Sequence, residues 1–267
     1  MSETVSKSRQ QYLRRRKRTS ILVNTARWGI LLLFFAFWEI GARLGWINDF
    51  LISSPSRMVR TAVNLAQSGE LFVHIGVTLL ETLTGFAISC VLGTFFAVAL
   101  WWSMFWNRVL DPYLVVLNAL PKIALGPVLI VWIGAGMPAI ITMAVLVSMI
   151  VTLLTTLAGF CETEPEKILL MRSFGASKRQ ILTLVVLPGA VPAMLSALKL
   201  NIGLSWVGVI VGEFLVSRAG LGYLSVYGGQ VLKLDLVMTS TVILCVLAAL
   251  MYGLVAALEK RVCAHRL

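Results

Sequence analysis

The sequence predicts an all-α protein that crosses a membrane with six helices. Of its 267 residues, 58% are hydrophobic and only 13% are charged, whereas a soluble domain has about 25% charged residues. Apolar runs of about 20 residues, the length that a helix needs to cross the hydrocarbon core, recur along the chain. These runs lack the alternating pattern of membrane β-strands. The apolar excess therefore indicates helices that face lipid.

The six predicted spans divide the chain into three parts. A basic N-terminal tail covers residues 1–27, a six-span domain covers 28–258, and a second tail covers 259–267. The second and fourth spans contain no charged residue. The first span is too long for a signal peptide and lacks a clear cleavage site. The predicted spans are residues 28–46, 83–102, 113–134, 137–160, 200–216 and 236–258.

The distribution of basic residues predicts the orientation. With the N-terminus in the cytoplasm, 17 Lys and Arg residues lie inside and five outside. Loops rich in Lys and Arg stay on the cytoplasmic side. We therefore expect both termini in the cytoplasm. The formal net charge of +11 follows these topology signals, so it indicates a lipid bilayer and not nucleic acid as the partner.

Residues that could support catalysis or bind a metal are scattered. No CxxC pair is present, and the chain lacks the GxxxxGK[ST] phosphate loop of ATPases. We expect no catalytic residue, no metal site and no cofactor in this chain. The isolated residues are Cys90, Cys161, Cys245, Cys263, His74 and His265.

The segment at residues 161–199 is the longest predicted cytoplasmic connection. Pro165 has acidic neighbours, which suit the start of a helix. Residues 168–174 would form about two turns, and Gly175 would end them in a left-handed conformation. Ser177 can cap a second helix that runs toward Pro188. The predicted unit is a short helix, a sharp turn and a second helix.

This segment resembles the signature loop of ATP-binding-cassette (ABC) importer permeases. The family pattern is Glu-Ala-Ala, three residues, Gly, nine residues and Ile-x-Leu-Pro. Val185, Leu187 and Pro188 follow Gly175 at that spacing. This chain departs from the pattern at the Glu-Ala-Ala positions, which hold residues 169–171 with the sequence Leu-Leu-Met.

The resemblance implies that the loop is a coupling helix that docks on a partner ATPase. Glu166, one turn before the altered positions, could substitute in part for the missing glutamate. The alternative is an amphipathic helix that lies on the bilayer surface. The implied coupling residues are Glu166, Leu169, Leu170, Met171, Arg172, Ser173, Phe174, Gly175, Ala176, Ser177, Val185, Leu187 and Pro188.

Further motifs look like the nitrate/sulfonate/taurine branch of these permeases, over nearly all of the chain after the basic tail. Among them are Trp38-Glu39, Ser205-Trp206 with Glu213, and Gly220-Leu-Gly. The family typically has Arg where this chain has Glu81. Membership implies the type I (MetI-like) importer fold in a bacterial inner membrane. It also implies a homodimer, two ATPase subunits that bind ATP and Mg, and an extracytoplasmic solute-binding protein.

Four residues interrupt the third predicted span and could line a solute path: Asn118, Pro121, Lys122 and Pro127. Proline breaks or kinks a helix, and broken helices can line a cavity at membrane depth. A lysine there costs about 2.5–3.5 kcal/mol on insertion scales. Facing a pore, Lys122 could hold an anion; alternatively it snorkels or pairs within the fold.

The fifth span contains four further path candidates. Asn201, Ser205 and Trp206 either line the path or pack helix against helix. Glu213, near the outer end, has either a structural or gating role or simple exposure at the interface. In the second span, Gly85 and Gly93 would permit close helix approach.

These features predict a permease subunit, through which a small solute crosses the membrane by alternating access. An organosulfonate, taurine or nitrate-like anion is the predicted solute, and a thiamine precursor or riboflavin-like solute is the alternative. A secondary transporter would require uptake by this chain alone and typically shows inverted repeats. A membrane enzyme would require a polar catalytic cluster, for which the sequence has only single residues.

Overall fold

The computed structural model describes residues 7–46 and 53–264, and all regular structure in these two ranges is helical. A 3₁₀ turn, Lys122–Leu125, precedes α5, and a π-helical turn, Leu182–Val186, joins α8 to α9. The helices are α1 (Lys7–Arg43), α2 (Pro55–Gln67), α3 (Glu70–Trp102), α4 (Met104–Ala119), α5 (Gly126–Ile133), α6 (Met137–Cys161), α7 (Pro165–Ser173), α8 (Lys178–Ile181), α9 (Leu187–Val216), α10 (Leu221–Gln230) and α11 (Leu234–Ala264).

Five helices in the described residues are long and apolar enough to span a membrane, and a bent pair makes a sixth if its two halves cross as one span. The third predicted span, 113–134, falls on this bent pair and is interrupted, as its prolines predict: α4 and the segment Lys122–Ile133 meet at 82°. The break follows from Pro121, which lacks a backbone N–H and disfavours helical geometry in the residue before it. Leu120 accordingly has an extended backbone, with ψ 138°.

The fifth span is longer than the predicted 200–216, since the helical run extends over Lys178–Val216. Lys199 immediately precedes the predicted start of this span. In the structure its Nζ contacts both carboxylate oxygens of Glu259 on α11, at 2.8 and 2.7 Å. Because the charge is paired, the helix continues through this position. The second span is also longer, because α3 begins at Glu70 and not at residue 83.

α6 lies at the centre of the bundle, with α3 on one side and α9 on the other. Small residues permit this close packing. A methyl group added at Gly85 would lie 2.7 Å from Ala144 Cβ, and one at Gly93 would lie 2.8 Å from Thr152 Cβ. The prediction of close helix approach at both glycines is confirmed. In lipid, where burial drives helix association little, such van der Waals contact stabilises the bundle.

The outer elements expose apolar side chains. In α1 the residues around Leu33 and Phe37, which are 71% and 66% exposed, contact little of the rest of the chain. Hydrogen bonds attach α1 to α2 and to the residues before it: Trp38 Nε1 donates to the Ser53 carbonyl, and the Ser56 N–H of α2 donates to Glu39. Such a surface suits lipid.

Candidate functional site

The α7–α8 loop, residues 165–181, contains a sharp left-handed turn. The Gly175 N–H donates to the Arg172 carbonyl at 2.9 Å, and the Ala176 N–H donates to the Met171 carbonyl at 3.0 Å. These two bonds form a Schellman motif, which satisfies the last carbonyls of α7. Gly175 has φ +75°, a conformation that glycine adopts without steric cost. The turn lies where the sequence predicts it.

α8 begins at a capping box. Ser177 Oγ accepts the Gln180 N–H, and Gln180 Oε1 accepts the Ser177 N–H, at 3.3 and 2.8 Å. The helical run extends toward Pro188, as predicted, and continues through it to Val216. Pro188 lies in the first turn of α9, after the π turn, where a missing N–H is tolerated.

The predicted coupling residues divide into an exposed and an inward-facing set. Leu169, Leu170 and Phe174 form an apolar tip and are 66%, 56% and 79% exposed. Met171 instead packs with Ile168 on a cluster that includes Phe160 of α6. Of the remaining predicted residues, Glu166, Arg172, Ser173, Gly175 and Ser177 are exposed, and Ala176, Val185, Leu187 and Pro188 are half-buried.

Two open cavities flank α7. One, of about 650 Å³, lies toward the ends of α3 and α4 and is lined in part by Trp101, Met104 and Lys178. The other, of about 710 Å³, lies toward α9 and is lined in part by Glu162 and Val185. α7 therefore packs incompletely against the bundle, which it contacts through Ile168 and Met171.

Sequence analysis did not identify Lys178 as a site residue. Its Nζ donates a hydrogen bond to the carbonyl of Trp102, the last residue of α3. It also lies 5.9 and 5.6 Å from the ring centroids of Trp101 and Trp102. One sequence feature could have pointed to it: Lys178 is the first residue of a predicted helix, where the helix dipole disfavours positive charge.

At the other end of α9, Glu213 organises the α9–α10 corner, residues 213–223. Its Oε1 accepts the Thr78 hydroxyl at 2.7 Å, and its Oε2 accepts the N–H groups of Gly222 and Tyr223 at 2.6 and 3.2 Å. The carboxyl group therefore caps the N-terminus of α10, where negative charge is favoured. Glu213 is 1% exposed. Its position favours the structural interpretation over simple exposure.

The corner also uses residues that the sequence analysis did not select. The Thr78 hydroxyl accepts the Leu221 N–H at 2.8 Å, and His74 Nδ1 accepts the Gly220 N–H at 2.9 Å. The Glu81 carboxyl, 1% exposed, contacts that of Glu213. Because this chain has Glu81 where the family typically has arginine, a second buried carboxyl group lies beside that of Glu213.

Asn201 lies at the centre of a buried polar network. Its Oδ1 accepts the hydroxyls of Ser89 and Ser205, each at 3.0 Å, and its Nδ2 donates to Thr152 Oγ1 at 2.7 Å. The network joins α3, α6 and α9. Asn201 and Ser205 are 0% exposed, and Trp206 is 3% exposed. These three side chains are already buried in a single copy of the chain. This favours a role in packing the helices together over a role in lining the solute path.

The bent segment places the other path candidates at the surface of the chain. Asn118, Pro121 and Pro127 are exposed, and Lys122 is half-buried. Lys122 Nζ donates to the backbone carbonyl of Asn118 at 3.2 Å and to its Oδ1 at 3.5 Å. Lys122 thus has a local partner, as the pairing alternative expects, while the segment remains accessible.

Three relatives align with most of the chain. The putative aliphatic sulfonates transport permease SsuC of Escherichia coli K12 is 28% identical over 86% of this chain and 87% of its own. The formylaminopyrimidine transport permease ThiX of Halalkalibacterium halodurans is 31% identical over 73% and 77%. The riboflavin transport system permease RibX of Chloroflexus aurantiacus is 27% identical over 86% of each chain.

Solved structures share the fold. A chain of the MetNI methionine ABC transporter, in an inward facing conformation, superposes with a TM-score of 0.58 over 73% of this chain and 95% of that one, at 20% identity. A chain of a bacterial ABC transporter that imports alginate superposes with a TM-score of 0.63 over 96% and 99%, at 14% identity. The architecture is therefore the MetI-like permease fold.

Residues 89–263 match the family described as binding-protein-dependent transport system inner membrane component. This match covers more than half of the chain, and it agrees with the helical bundle, the α7–α8 loop and the superpositions. The chain belongs to this family and is the non-catalytic permease subunit of an ABC importer.

Proposed function

We propose that two copies of this chain form the path for a small organic anion, and that two ABC ATPases dock on the α7–α8 loops. The observation that carries this proposal is the exposed apolar tip of α7. Phe174 and Leu169 are 79% and 66% exposed, on a helix whose end is held by the Gly175 turn. An apolar cluster of this kind on a defined turn is suited to insertion in a protein groove.

The charge distribution supports a cytoplasmic location for this tip. The connection 161–199 holds five of the 17 basic residues assigned to the inside. The same asymmetry supports a cytoplasmic location for both termini. The α9–α10 corner then lies on the outside, where an extracytoplasmic solute-binding protein would deliver the solute.

The bent segment supports a path between two copies. Lipid does not tolerate broken backbone or an exposed charge at membrane depth, whereas a water-filled cavity or a second protein does. Asn118 and Lys122 lie beside such a break. We infer that this segment faces the path, with Pro121 and Pro127 shaping its backbone, and that Asn201, Ser205 and Trp206 support it from within the bundle.

The sulfonate class is the proposed solute because a lysine on the path would attract an anion, and because one relative is named for aliphatic sulfonates. Formylaminopyrimidine and riboflavin are the second candidates, since other relatives are named for them. The local pairing of Lys122 with Asn118 leaves the ammonium charge unneutralised. The charge is therefore still available to an anion.

Two measurements test the coupling claim. The first is copurification of the chain with its cognate ATPase, and the second is uptake by proteoliposomes that contain the transporter and its binding protein. Taurine, riboflavin and formylaminopyrimidine are supplied outside with MgATP inside. We expect ATP-dependent uptake of taurine, and loss of both complex and uptake when Gly175 and Leu187 are replaced by bulky polar residues. Uptake by the chain alone without ATP would instead establish a secondary transporter.

The orientation is tested separately. A cysteine introduced at Ser177 in a cysteine-free background should resist membrane-impermeant thiol reagents in intact cells and react after the membrane is opened. A cysteine at Arg218, on the opposite end of α9, serves as the control that reacts in intact cells. Labelling of position 177 from outside would overturn the proposed docking.

A further inference from the structure

Lys178 lies at a position that its own helix disfavours electrostatically. It is the first residue of the helical run Lys178–Val216, whose N-terminus carries partial positive charge. Its ammonium group is directed at the C-terminal end of α3, where it hydrogen-bonds to the carbonyl of Trp102. The last carbonyls of a helix have no partner within the helix and carry partial negative charge. The end of α3 therefore supplies the attraction that offsets the unfavourable helix start.

Two indole rings complete the contact. The Lys178 ammonium lies 5.9 Å from the Trp101 ring centroid and 5.6 Å from that of Trp102, within the range of cation–π attraction. Among the described residues of the α7–α8 loop, Lys178 is the one whose side chain hydrogen-bonds to another span.

The surroundings make this contact mechanically important. Cavities of about 650 and 710 Å³ flank α7, so a displacement of α7 can be absorbed there unless its base is held. Directly after Lys178, Ile181 and Leu182 pack in one cluster with Ala97 and Leu100 of α3. The polar contact and the apolar cluster therefore attach the same point of the loop to the same end of α3.

We propose that Lys178 is a positioning residue that transmits displacement of α7 to α3. This inference rests on the proposed function, because it assumes that a docked ATPase moves α7. We call the contact of Lys178 with Trp101 and Trp102 the tether. With the tether intact, the loop and the end of α3 move as one body. Without it, α7 moves into the flanking cavities and ATP is hydrolysed with less solute import.

The first test measures solute imported per ATP hydrolysed in proteoliposomes that contain the full transporter, with taurine, riboflavin, formylaminopyrimidine and MgATP as probes. Lys178→Met should lower this ratio about fivefold or more, the lower end of usual coupling between linked sites. Lys178→Arg, which keeps the donor and the charge, should restore most of it. Arg179→Met removes the same charge from the next, exposed residue and should leave the ratio unchanged.

A second test needs neither solute nor ATPase. Spin labels at Lys167→Cys on α7 and Ala99→Cys on α3 report the distance between loop and span in the full chain in nanodiscs, diluted with unlabelled chain. We expect a narrow distance distribution for the parent and Arg179→Met, and a broader one for Lys178→Met. An equally narrow distribution in Lys178→Met would overturn the tether.

The two proposals fail in different ways. Absence of ATP-dependent uptake by the parent transporter would contradict the proposed function and leave the spin-label result to decide the tether. ATP-dependent uptake with equal ratios for Lys178→Met and Arg179→Met would contradict the tether alone.

Discussion

The two ends of α9 are built by opposite means. At one end, the α9–α10 corner buries Glu213 at 1% exposure and surrounds it with donors from α3 and α10. At the other end, the α7–α8 loop leaves Phe174 79% exposed and has cavities on both sides. The corner satisfies its polar groups within the chain, whereas the loop leaves apolar groups exposed. Substitutions in the corner should therefore affect stability, and substitutions at the tip of the loop should affect association.

The largest expected effect is at Gly220 in the corner. A methyl group there would lie 2.3–2.5 Å from the carboxyl atoms of Glu213, and φ is +122°, a region essentially restricted to glycine. Gly220→Ala should lower the free energy of unfolding in detergent by about 4 kcal/mol, in the range of exceptional substitutions. Gly229→Ala, with nothing within 4 Å of the added methyl, is the control. Equal stability of the two variants would show that the corner is not tightly closed.

The second prediction concerns the carboxyl group of the corner. Glu213→Ala leaves the Gly222 and Tyr223 N–H groups and the Thr78 hydroxyl without their acceptor. We expect a loss of about 3 kcal/mol in the free energy of unfolding, since unsatisfied buried donors cost about 1–3 kcal/mol each and partly relax. Glu162→Ala, at an exposed carboxyl beside the loop, should change it by less than about 0.5 kcal/mol. A similar loss in both variants would remove the contrast between the two ends.

The third prediction concerns the exposed tip of the α7–α8 loop. Phe174→Ala should leave the unfolding free energy within about 0.5 kcal/mol, because the ring is mostly exposed. It should weaken association with the ATPase by about 30-fold, corresponding to the roughly 2 kcal/mol of an interface hot spot. Association is measured by titration of labelled ATPase onto nanodiscs. Trp132→Ala removes an equally exposed ring, at 78%, from α5 and should not alter the affinity.

The smallest expected effect is at the turn of the loop. Gly175 has φ +75° but no atom within 4 Å of an added methyl, so only backbone strain opposes a side chain. Gly175→Ala should cost about 1 kcal/mol in the unfolding free energy, much less than Gly220→Ala. Gly175→Asn should cost less, since asparagine tolerates this conformation. A cost as large as that of Gly220→Ala would mean that the turn is packed as closely as the corner.

Periodicity and turn chemistry identified most of the helices but not all of their ends. The turn at Gly175 and the cap at Ser177 were predictable because glycine and serine act on their own neighbours in the chain. The 82° break after α4 was only partly predictable, since Pro121 indicates an interruption without giving its angle. The length of the fifth span was not predictable, because it depends on Glu259 lying beside Lys199.

The site residues show the same limit. Asn201 and Glu213 were recognisable as unusual polar residues in apolar helices. Their partners Ser89, Thr152 and Thr78 come from other helices, so their roles emerged only in the bundle. Lys178 was not selected, because its contacts with Trp101 and Trp102 join residues 76 and more positions apart.

The sequence alone determined the apolar spans, the asymmetry of basic charge and the local turn at Gly175, because these depend on composition and on short-range backbone preferences. Only the tertiary structure decided which polar groups are satisfied inside the chain and which surfaces remain open. The physical reason is that burial and hydrogen bonding depend on which helices pack together. The carboxyl group of Glu213 is therefore buried at one end of α9, and the ring of Phe174 is exposed near the other end. The residue types alone would suggest the opposite.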